Sequence, residues 1–482
     1  MKKKVVLYNP RAVFWTMPLA LIAVGSALDR SKYEVVLVDG RLERNPIETV
    51  LSHLRGDAVC LGITVLTGAP IRDALNVSRA VKAALPSLPI VWGGWHPSLF
   101  PGQCLSEPSV DAAVVGQGEI TFAEIVDRLA VGQALDGVAG CVVRTGGFAQ
   151  SEAGNLQPLI QQGPPRAFRD VNTLPAHDYS LIDVERYFAH KGKRQLDYVS
   201  SQGCRFRCTF CADPTVFRRG WYGLDPQRMA QELMANHATY RIEEISFQDE
   251  TFFTSRERVR AIARAFLDSG LRVSWSATMR SDQGERLDDK LMALCRRSGL
   301  RRVMIGVESG SPEMLQRIRK DITLPQVIES AARCARHDIG AIYNFIVGFP
   351  GESGASIHQT MDLAARLRAM HADSETSIFY FRAYPGNPIA EELVRAGYRF
   401  PASLEDWADF DFYGGREEWL SHEQVRQIER FKFYQRFAFG RSRPILRRPL
   451  QWVSRWRVNR RFYKFPIEKA IIERLRPAQK LS

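Results

Sequence analysis

The chain has 482 residues, 45% hydrophobic and 25% charged, which is enough for two or three domains with apolar cores. Its net charge is +13, but residues 430–482 contain sixteen Lys or Arg and two Glu, so the remainder is nearly neutral. Eight cysteines are too sparse for a disulfide framework. The longest uncharged stretch, residues 12–28, is shorter than a membrane-spanning helix, and no signal peptide is apparent. A cytoplasmic, reducing location is expected.

The first 135 residues alternate short apolar strands with amphipathic helices. The predicted strands are Val5–Tyr8, Glu34–Val38, Ala58–Thr64, Pro89–Trp92 and Ala112–Val115. The predicted helices are Pro18–Leu28, Pro46–Leu54, Ile71–Leu85 and Thr121–Leu129. This alternation predicts an α/β domain with a doubly wound parallel sheet. Its ligands are expected beyond the carboxyl ends of the strands.

Residues 136–190 have a weaker pattern, which predicts a hairpin over 138–165 and an ordered linker over 170–187. Strand–helix alternation resumes over 191–400. The predicted strands there are Leu196–Ser200, Glu244–Phe247, Val273–Ala277, Arg302–Gly306, Ala341–Val347 and Ser377–Phe381. The predicted helices are Pro226–Asn236, Arg256–Ser269, Asp288–Ser298, Pro312–Arg317, Leu324–Asp338 and Gly354–Met370. Six βα units predict a partial (β/α)6 barrel with active residues at its carboxyl ends. Residues 401–482 are expected to form a basic, aromatic-rich helical region.

Three cysteines follow the first strand of the second region, with the spacing C-x3-C-x2-C: Cys204, Cys208 and Cys211. Thiolates this close on one loop can each bind one iron of a [4Fe–4S] cube. Three ligands leave one iron open to bind and reduce a small molecule, which favours an enzyme over an electron carrier. A zinc site usually needs four ligands, and the next candidates, His237 and Cys295, are remote in sequence.

Further motifs after the cysteines match a known family in order and spacing. The matching segments are Gly203–Cys211, Phe247–Phe252, Gly306–Gly310, Gly348–Glu352 and Tyr384–Pro388. Residues 191–400 resemble radical S-adenosylmethionine (SAM) enzymes, and residues 1–135 resemble the cobalamin-binding domain that often precedes them. The resemblance implies that SAM chelates the open iron and that one electron cleaves it to a 5′-deoxyadenosyl radical. That radical removes hydrogen from an unactivated carbon.

The resemblance also implies a SAM site at the carboxyl ends of the barrel strands. The residues that it assigns to SAM are Phe210, Asp249, Arg280, Glu308, Gly348, Phe349 and Pro350. Structural alternatives stay open at several of these positions. Asp249 with Glu250 fits a helix N-cap and a solvated acid, Arg280 fits a surface arginine, and residues 348–350 fit a plain turn.

Cobalamin is implied for the first domain by the resemblance of its loops. The residues concerned are Thr64, Thr67, Gly93, Gly94, Trp95, His96, Gly116, Gly118 and Glu119. The chain lacks the Asp-x-His-x-x-Gly run whose histidine ligates cobalt in familiar cobalamin domains, and members of the radical SAM subclass commonly lack it too. A structural histidine in the turn before Pro97 is the alternative interpretation of His96.

The expected function is cobalamin-dependent methylation of an unactivated carbon, with two SAM molecules used in each cycle. One alternative is an oxidative cyclase or rearrangement enzyme, similar to the anaerobic Mg-protoporphyrin monomethyl ester cyclase. Another is a non-catalytic iron–sulfur or cobalamin sensor. The expected partners are a small-molecule or lipid-like substrate and an electron donor such as flavodoxin or ferredoxin.

Residues 430–482 also contain ten aromatic side chains among their basic residues. This mixture fits a nucleic-acid surface, an anionic membrane surface or the basic outer face of a packed helical subdomain. The membrane is favoured because Trp and Tyr suit the headgroup zone and no nucleic-acid module accompanies the tail. We therefore expect a peripheral position at the inner face of a membrane and no nucleic-acid partner.

Overall fold

The computed structural model describes residues 2–150, 156–410, 419–439 and 448–475. The strands are β1 Lys3–Asn9, β2 Tyr33–Asp39, β3 Ala58–Thr64, β4 Ile90–Gly93, β5 Ala112–Val114, β6 Cys141–Gln150, β7 Leu156–Gln162, β8 Gln195–Tyr198, β9 Ser201–Gly203, β10 Trp221–Gly223, β11 Glu244–Phe247, β12 Ser274–Arg280, β13 Leu300–Glu308, β14 Gly340–Val347 and β15 Glu375–Tyr380.

The first ten helices are α1 Leu19–Ser26, α2 Pro46–Leu54, α3 Pro70–Ala84, α4 Trp95–Leu99, α5 Pro101–Leu105, α6 Glu119–Ala130, α7 Val184–Lys191, α8 Asp213–Val216, α9 Pro226–Tyr240 and α10 Arg256–Asp268. The next ten are α11 Ser281–Arg286, α12 Asp289–Arg297, α13 Pro312–Arg317, α14 Leu324–Arg336, α15 Gly354–Ala369, α16 Pro388–Arg395, α17 Leu404–Ala408, α18 His422–Ala438, α19 Arg448–Arg460 and α20 Ile467–Leu475.

The chain divides into two compact units. Unit 1 comprises Met1–Glu250, Ser269–Val273 and Ala383–Phe412. Unit 2 comprises Thr251–Asp268, Ser274–Arg382 and Tyr413–Ser482.

The first sheet of unit 1 has the strand order β2-β1-β3-β4-β5-β6-β7. Strands β1 to β5 are parallel, as predicted, and helices cover them. The side chains of Val5–Tyr8 in β1 are fully buried, which is why the strand reads as a continuous apolar run. The strand order reverses direction between β1 and β3. Such a reversal opens a crevice for ligands at the carboxyl ends of the strands.

The predicted hairpin is formed by β6 and β7, and it extends the first sheet. Because β6 runs antiparallel to β5, the whole sheet is mixed. The predicted linker contains two 3-10 turns, Val171–Thr173 and Tyr179–Leu181, and the start of α7. None of the described helices combines the length and the hydropathy needed to cross a bilayer.

Unit 1 also contains the parallel pair β8–β11, the antiparallel ribbon β9–β10 and the helices α16 and α17. Trp407 of α17 is fully buried, with its ring centroid 5.0 Å from that of Phe100. The segment 383–410 therefore contributes to the apolar core of the first sheet.

In unit 2, β12, β13, β14 and β15 form consecutive parallel pairs, with helices between them as predicted. The predicted α/β class is confirmed, although strand ends move by a few residues: β12 continues to Arg280 rather than ending at Ala277. The helices predicted for the C-terminal region are α18, α19 and α20. A capping box between Ser421 and Gln424 begins α18.

Candidate functional site

The cysteine loop, residues 204–211, follows directly on β9. The β9–β10 ribbon pairs Gly203 with Trp221, which brings the two ends of the intervening segment together. Gly203 has φ +88°, and a Cβ added there would lie 2.2 Å from the carbonyl oxygen of Gly220. Glycine is thus required at the position before the first cysteine.

Two neighbouring acids after β11, Asp249 and Glu250, accept hydrogen bonds from the residues that precede the cysteine loop. The buried Asp249 carboxylate accepts hydrogen bonds from the Ser200 backbone nitrogen at 2.7 Å and from the hydroxyls of Ser200 and Ser201 at 2.7 and 2.5 Å. Glu250 accepts from the Gly203 nitrogen at 3.2 Å. The next 3-10 turn has Thr251 at its N-cap, so capping is not the role of either acid.

The far end of the cysteine loop is held by the motif Tyr384–Pro388. The Asn387 side-chain amide donates to the Phe210 carbonyl at 3.2 Å, and the Ile389 nitrogen donates to the Thr209 carbonyl at 3.2 Å. Asn387 also caps α16 by accepting from Ala390 at 3.0 Å. Both ends of the loop are therefore fixed by backbone-directed hydrogen bonds within unit 1.

The three thiols of the cysteine loop lie close enough to influence one another's ionisation. Burial first, and then the Asp213 carboxylate, raise the pKa of the Cys211 thiol well above its usual value, and the nearby Cys208 and Cys204 thiols add to this effect. Within the described residues no group of three His, Cys, Asp or Glu side chains is arranged to hold a single ion. Three cysteines on one short loop can each bind one iron of a cubane.

The carboxyl group of Glu250 lies in an environment that disfavours its charge. Burial, together with the Asp213 carboxylate, raises the pKa of Glu250 to about 8. Burial raises the pKa of Asp213 to about 6. Burial thus favours the neutral form of Glu250 more than in an ordinary glutamate, and in that form the carboxyl group can donate a hydrogen bond as well as accept one.

A cavity of about 540 Å³ opens beyond the carboxyl ends of the first sheet, and unit 1 supplies all of its lining. Of the nine residues predicted for cobalamin, seven line it: Thr64, Gly93, Gly94, Trp95, Gly116, Gly118 and Glu119. Gly116 has φ +80°, and an added Cβ would meet no atom within 4 Å. The wall is therefore open there, which fits a large, flat ligand lying against backbone.

The loops of this cavity are fastened to one another by hydrogen bonds. Ser98 donates from its hydroxyl to the Gly94 carbonyl at 2.7 Å and accepts from the Gly116 nitrogen at 3.0 Å. The Val65 nitrogen donates to the Gly93 carbonyl at 2.7 Å. The cradle is consequently preformed by the ends of β3, β4 and β5.

Thr67 and His96 are absent from the cavity lining. His96 is fully buried, with its ring centroid 5.4 Å from that of Trp407 and its Nδ1 3.3 Å from the Thr67 hydroxyl. Burial lowers the pKa of His96 to about 4, so the ring is neutral. The imidazole that does line the cavity is His177, and burial lowers its pKa to about 4 as well.

The same cavity is also lined by residues beside the cysteine loop, among them Val199, Gln202, Phe217, Gln248 and Glu250. The side chain of Gln202 joins these residues to the predicted cobalamin loop that follows β5. Its side-chain carbonyl accepts a hydrogen bond from the Gln117 amide at 2.9 Å, and its side-chain amide donates one to the Glu119 carboxylate at 3.1 Å. The predicted cobalamin loops and the surroundings of the cysteine loop thus share one chamber within unit 1.

Unit 2 brings together two of the residues predicted for SAM through a lysine that the sequence did not indicate. The Lys320 ammonium group donates a hydrogen bond to the Glu308 carboxylate at 2.7 Å. The backbone carbonyl of Lys320 accepts one from the Arg280 guanidinium at 2.5 Å. Arg280 also pairs with Asp282 at 2.9 Å. All four side chains are buried, so Arg280 is not the surface arginine of the alternative interpretation. Glu308 has φ +68°, a strained conformation that is typical of functional sites.

The loop 348–350 of unit 2 is organised by Glu352. Its carboxylate accepts from the backbone nitrogens of Gly348 and Phe349 at 2.7 and 3.2 Å. Gly348 has φ +82°, and the Phe349 ring lies 4.8 Å from that of Phe381. The positive φ of Gly348 favours glycine at this position, as the alternative interpretation of a plain turn also expects. The Phe349 side chain is buried.

Several residues of the site carried no signal in the sequence. Lys320, Ser98, Gln202 and His177 lie outside the matched motifs, and their roles depend on contacts made by the folded chain. Glu250 was visible beside Asp249, but only the structure shows that Glu250, rather than its neighbour, lines the cavity.

Two family models match the chain. The model of the radical SAM superfamily matches residues 198–364, and the model of the B12 binding domain matches residues 11–126. These ranges contain the cysteine loop and the cavity loops, respectively.

Three related proteins agree with these matches. An uncharacterized methyltransferase of Pyrococcus horikoshii is 30% identical over 80% of both chains. The cytidylyl-2-hydroxyethylphosphonate methyltransferase of Streptomyces wedmorensis is 24% identical over 83% of both chains. The anaerobic magnesium-protoporphyrin IX monomethyl ester cyclase of Synechocystis is 25% identical over 69% of this chain and 64% of its own.

A solved structure shares the fold. The cobalamin-dependent SAM radical enzyme OxsB has a TM-score of 0.73 and 17% identity, covering 95% of this chain and 71% of its own. The Pyrococcus relative, the two family models and the cysteine loop agree. The chain belongs to the radical SAM superfamily, as an enzyme with a B12-binding domain ahead of its radical SAM domain.

Proposed function

We propose that this enzyme methylates an unactivated carbon of a small-molecule or lipid-like substrate with the help of a [4Fe–4S] cluster, SAM and cobalamin. The observation that carries the proposal is the cavity of about 540 Å³ in unit 1, because both the B12-domain loops and residues next to the cysteine loop line it. A methyl donor and a radical source must act on the same carbon. They therefore need one shared chamber that excludes water.

The proposed ligands of the cluster are Cys204, Cys208 and Cys211. SAM is assigned to Phe210, Asp249, Arg280, Glu308, Gly348, Phe349 and Pro350, and cobalamin to the seven predicted residues that line the cavity. When bound, the cluster and SAM supply a carbon radical, and cobalamin supplies a methyl group.

The protein's own part is to hold and orient these groups. Asp249 and Asn387 fix the two ends of the cysteine loop. The Arg280 guanidinium is suited to a carboxylate, and Glu308 to hydroxyls or an ammonium group. Glu250 lines the cavity and, in its protonated form, can donate a hydrogen bond there. Thr67 and His96 act from behind the wall, as supports of the cavity loops.

Oxidative cyclisation is the second candidate, because one relative is named as a cyclase. The two reactions differ in the fate of the methyl group of SAM. Methylation adds 14 daltons to the substrate and releases S-adenosylhomocysteine, whereas cyclisation removes hydrogen or adds oxygen.

The deciding experiment is anaerobic incubation of the reconstituted enzyme with SAM, reductant and hydroxocobalamin. We expect 5′-deoxyadenosine and S-adenosylhomocysteine together, with the second product dependent on bound cobalamin. Liquid chromatography with mass detection measures both. 5′-Deoxyadenosine without S-adenosylhomocysteine would favour cyclisation, and the absence of 5′-deoxyadenosine would overturn both reactions in favour of a sensor.

We also propose that the C-terminal helices of unit 2 hold the enzyme at an anionic membrane. Trp452 and Phe465 are 72% and 74% exposed, amid the exposed basic residues Arg455, Arg460 and Lys464. Exposed aromatic residues among cations suit the headgroup layer of a bilayer.

Replacing both aromatic residues with Ser should lower co-sedimentation with anionic vesicles by about tenfold. Val131→Ser with Val394→Ser is the matched control, since these side chains are 69% and 48% exposed in unit 1. If the wild-type protein stays in the supernatant, the membrane assignment fails.

A further inference from the structure

Four exposed arginines surround the cysteine loop: Arg205, Arg207, Arg218 and Arg219. We call this set the arginine surface. The segment 203–222 that contains it has a single acid, the half-buried Asp213. The segment therefore carries four arginines against one carboxylate, although the chain outside the C-terminal region is nearly neutral.

The β9–β10 ribbon brings the two halves of this surface together. Arg205 and Arg219 each lie two residues beyond the pair Gly203–Trp221, on the two facing arms of the ribbon. The Arg219 guanidinium donates to the Arg205 carbonyl at 3.3 Å, and the Arg205 guanidinium lies 5.0 Å from the centroid of the Trp221 ring. These contacts are with a carbonyl and a ring rather than with carboxylates, so they orient the positive charge without neutralising it.

The backbone under the surface is unusual. Arg218 and Arg219 have φ +50° and +59°, two consecutive non-glycine residues in the left-handed region. Glycine would adopt this conformation without strain. Strain of this kind is typical of functional sites, and here it lies under two exposed, charged side chains.

We propose that the arginine surface is the docking site of an acidic one-electron donor protein. The assignment rests on the proposed function, because only a redox cluster at this loop needs such a partner. With a cluster held by Cys204, Cys208 and Cys211, one electron from the donor would split the SAM sulfonium into methionine and a 5′-deoxyadenosyl radical. That radical would take a hydrogen atom from the substrate, giving 5′-deoxyadenosine and a substrate radical.

Position and charge both favour this partner. Arg205 adjoins Cys204 and Arg207 adjoins Cys208, so a protein on this surface lies directly beside the cluster ligands. None of the four arginines lines the cavity, whereas Val216 and Phe217 of the same segment do. The cavity side of the segment thus serves the substrate, and the charged side faces solvent. An acidic protein would be steered to it by attraction that salt weakens.

The test is the double variant R218E/R219E, compared with the control R44E/R55E, which reverses two exposed arginines at the ends of α2. Initial rates of 5′-deoxyadenosine formation are measured against the concentration of reduced flavodoxin at low and high salt, and again with photoreduced deazaflavin. We expect R218E/R219E to raise the KM for flavodoxin by about tenfold at low salt and to weaken its salt dependence. The rate with deazaflavin and the behaviour of R44E/R55E should match the wild type.

Each departure from this result has a distinct meaning. If R218E/R219E and the control have the same KM for flavodoxin, the docking site lies elsewhere and the inference is overturned. If R218E/R219E loses activity equally with deazaflavin, the arginines support the cluster loop itself, which also overturns docking. Wild-type protein that forms no 5′-deoxyadenosine with deazaflavin would instead refute the proposed function.

Discussion

Replacing Cys208 with Ser is expected to abolish cluster assembly and, with it, the cleavage of SAM. Cys208 is the most buried of the three cysteines, and its loop is held at both ends, so no other thiol can take its place without moving the backbone. A serine hydroxyl is a poor ligand for iron. The rate of 5′-deoxyadenosine formation should fall below about a hundredth of the wild-type rate. Iron and sulfide content, with electron paramagnetic resonance of the reduced protein, checks this result.

Cys334→Ala is the matched control, because this cysteine is also buried but lies in α14 of unit 2 and outside the C-x3-C-x2-C motif. The cavity that it leaves should lower the free energy of unfolding by about 1–2 kcal/mol while the iron content stays that of the wild type. A Cys208→Ser protein that retains a cubane and full SAM cleavage would refute the ligand assignment. So would a wild-type cluster saturated by four protein ligands.

The regular part of the fold was predictable because burial repeats along the sequence. Strand β1 is an unbroken apolar run since both faces of its sheet are covered, and α14 shows apolar residues on one face only. The ribbon β9–β10 and the short helices α4 and α5 were missed. Each has three to five residues, too few to show a period, and tertiary contacts decide their conformation.

For the site, sequence identifies ligand types but not orientations. The three cysteines could be proposed as cluster ligands from the sequence because their spacing is local. Asp249 bonds to serines 48 and 49 positions away, and no pattern in the sequence records that distance. His96 was grouped with its neighbours in the cavity loop, yet its ring turns away from the cavity to pack against Trp407, more than 300 positions away. The orientation of the His96 side chain is thus set by packing against a residue that is distant in sequence, which local patterns do not reveal.

Replacing Gly94 with Ala is expected to weaken cobalamin binding by about tenfold or more. Gly94 has φ +98° and ψ −163°, a region that is essentially restricted to glycine. An added Cβ would also lie 3.0 Å from the backbone nitrogen and oxygen of Val65. The strain of about 1–3 kcal/mol would be relieved by moving the loops of β3 and β4 apart, which breaks the preformed cradle. The absorbance of cobalamin retained after gel filtration measures the effect.

Gly93→Ala is the control within the same loop. Gly93 also lines the cavity, but its φ lies outside the left-handed region. The atom nearest to an added Cβ would be the Cβ of Val114 at 3.6 Å, which is an ordinary van der Waals contact. A methyl group there should leave cobalamin uptake within about twofold of the wild type. Equal loss in both variants would show that any added volume in the loop is harmful and that the backbone of Gly94 is not the cause. Equal retention would show that cobalamin binding does not depend on this cradle.

The iron content of the protein should be unchanged in both variants. The cysteine loop is anchored by hydrogen bonds with Asp249 and Asn387 rather than by the loop that follows β4.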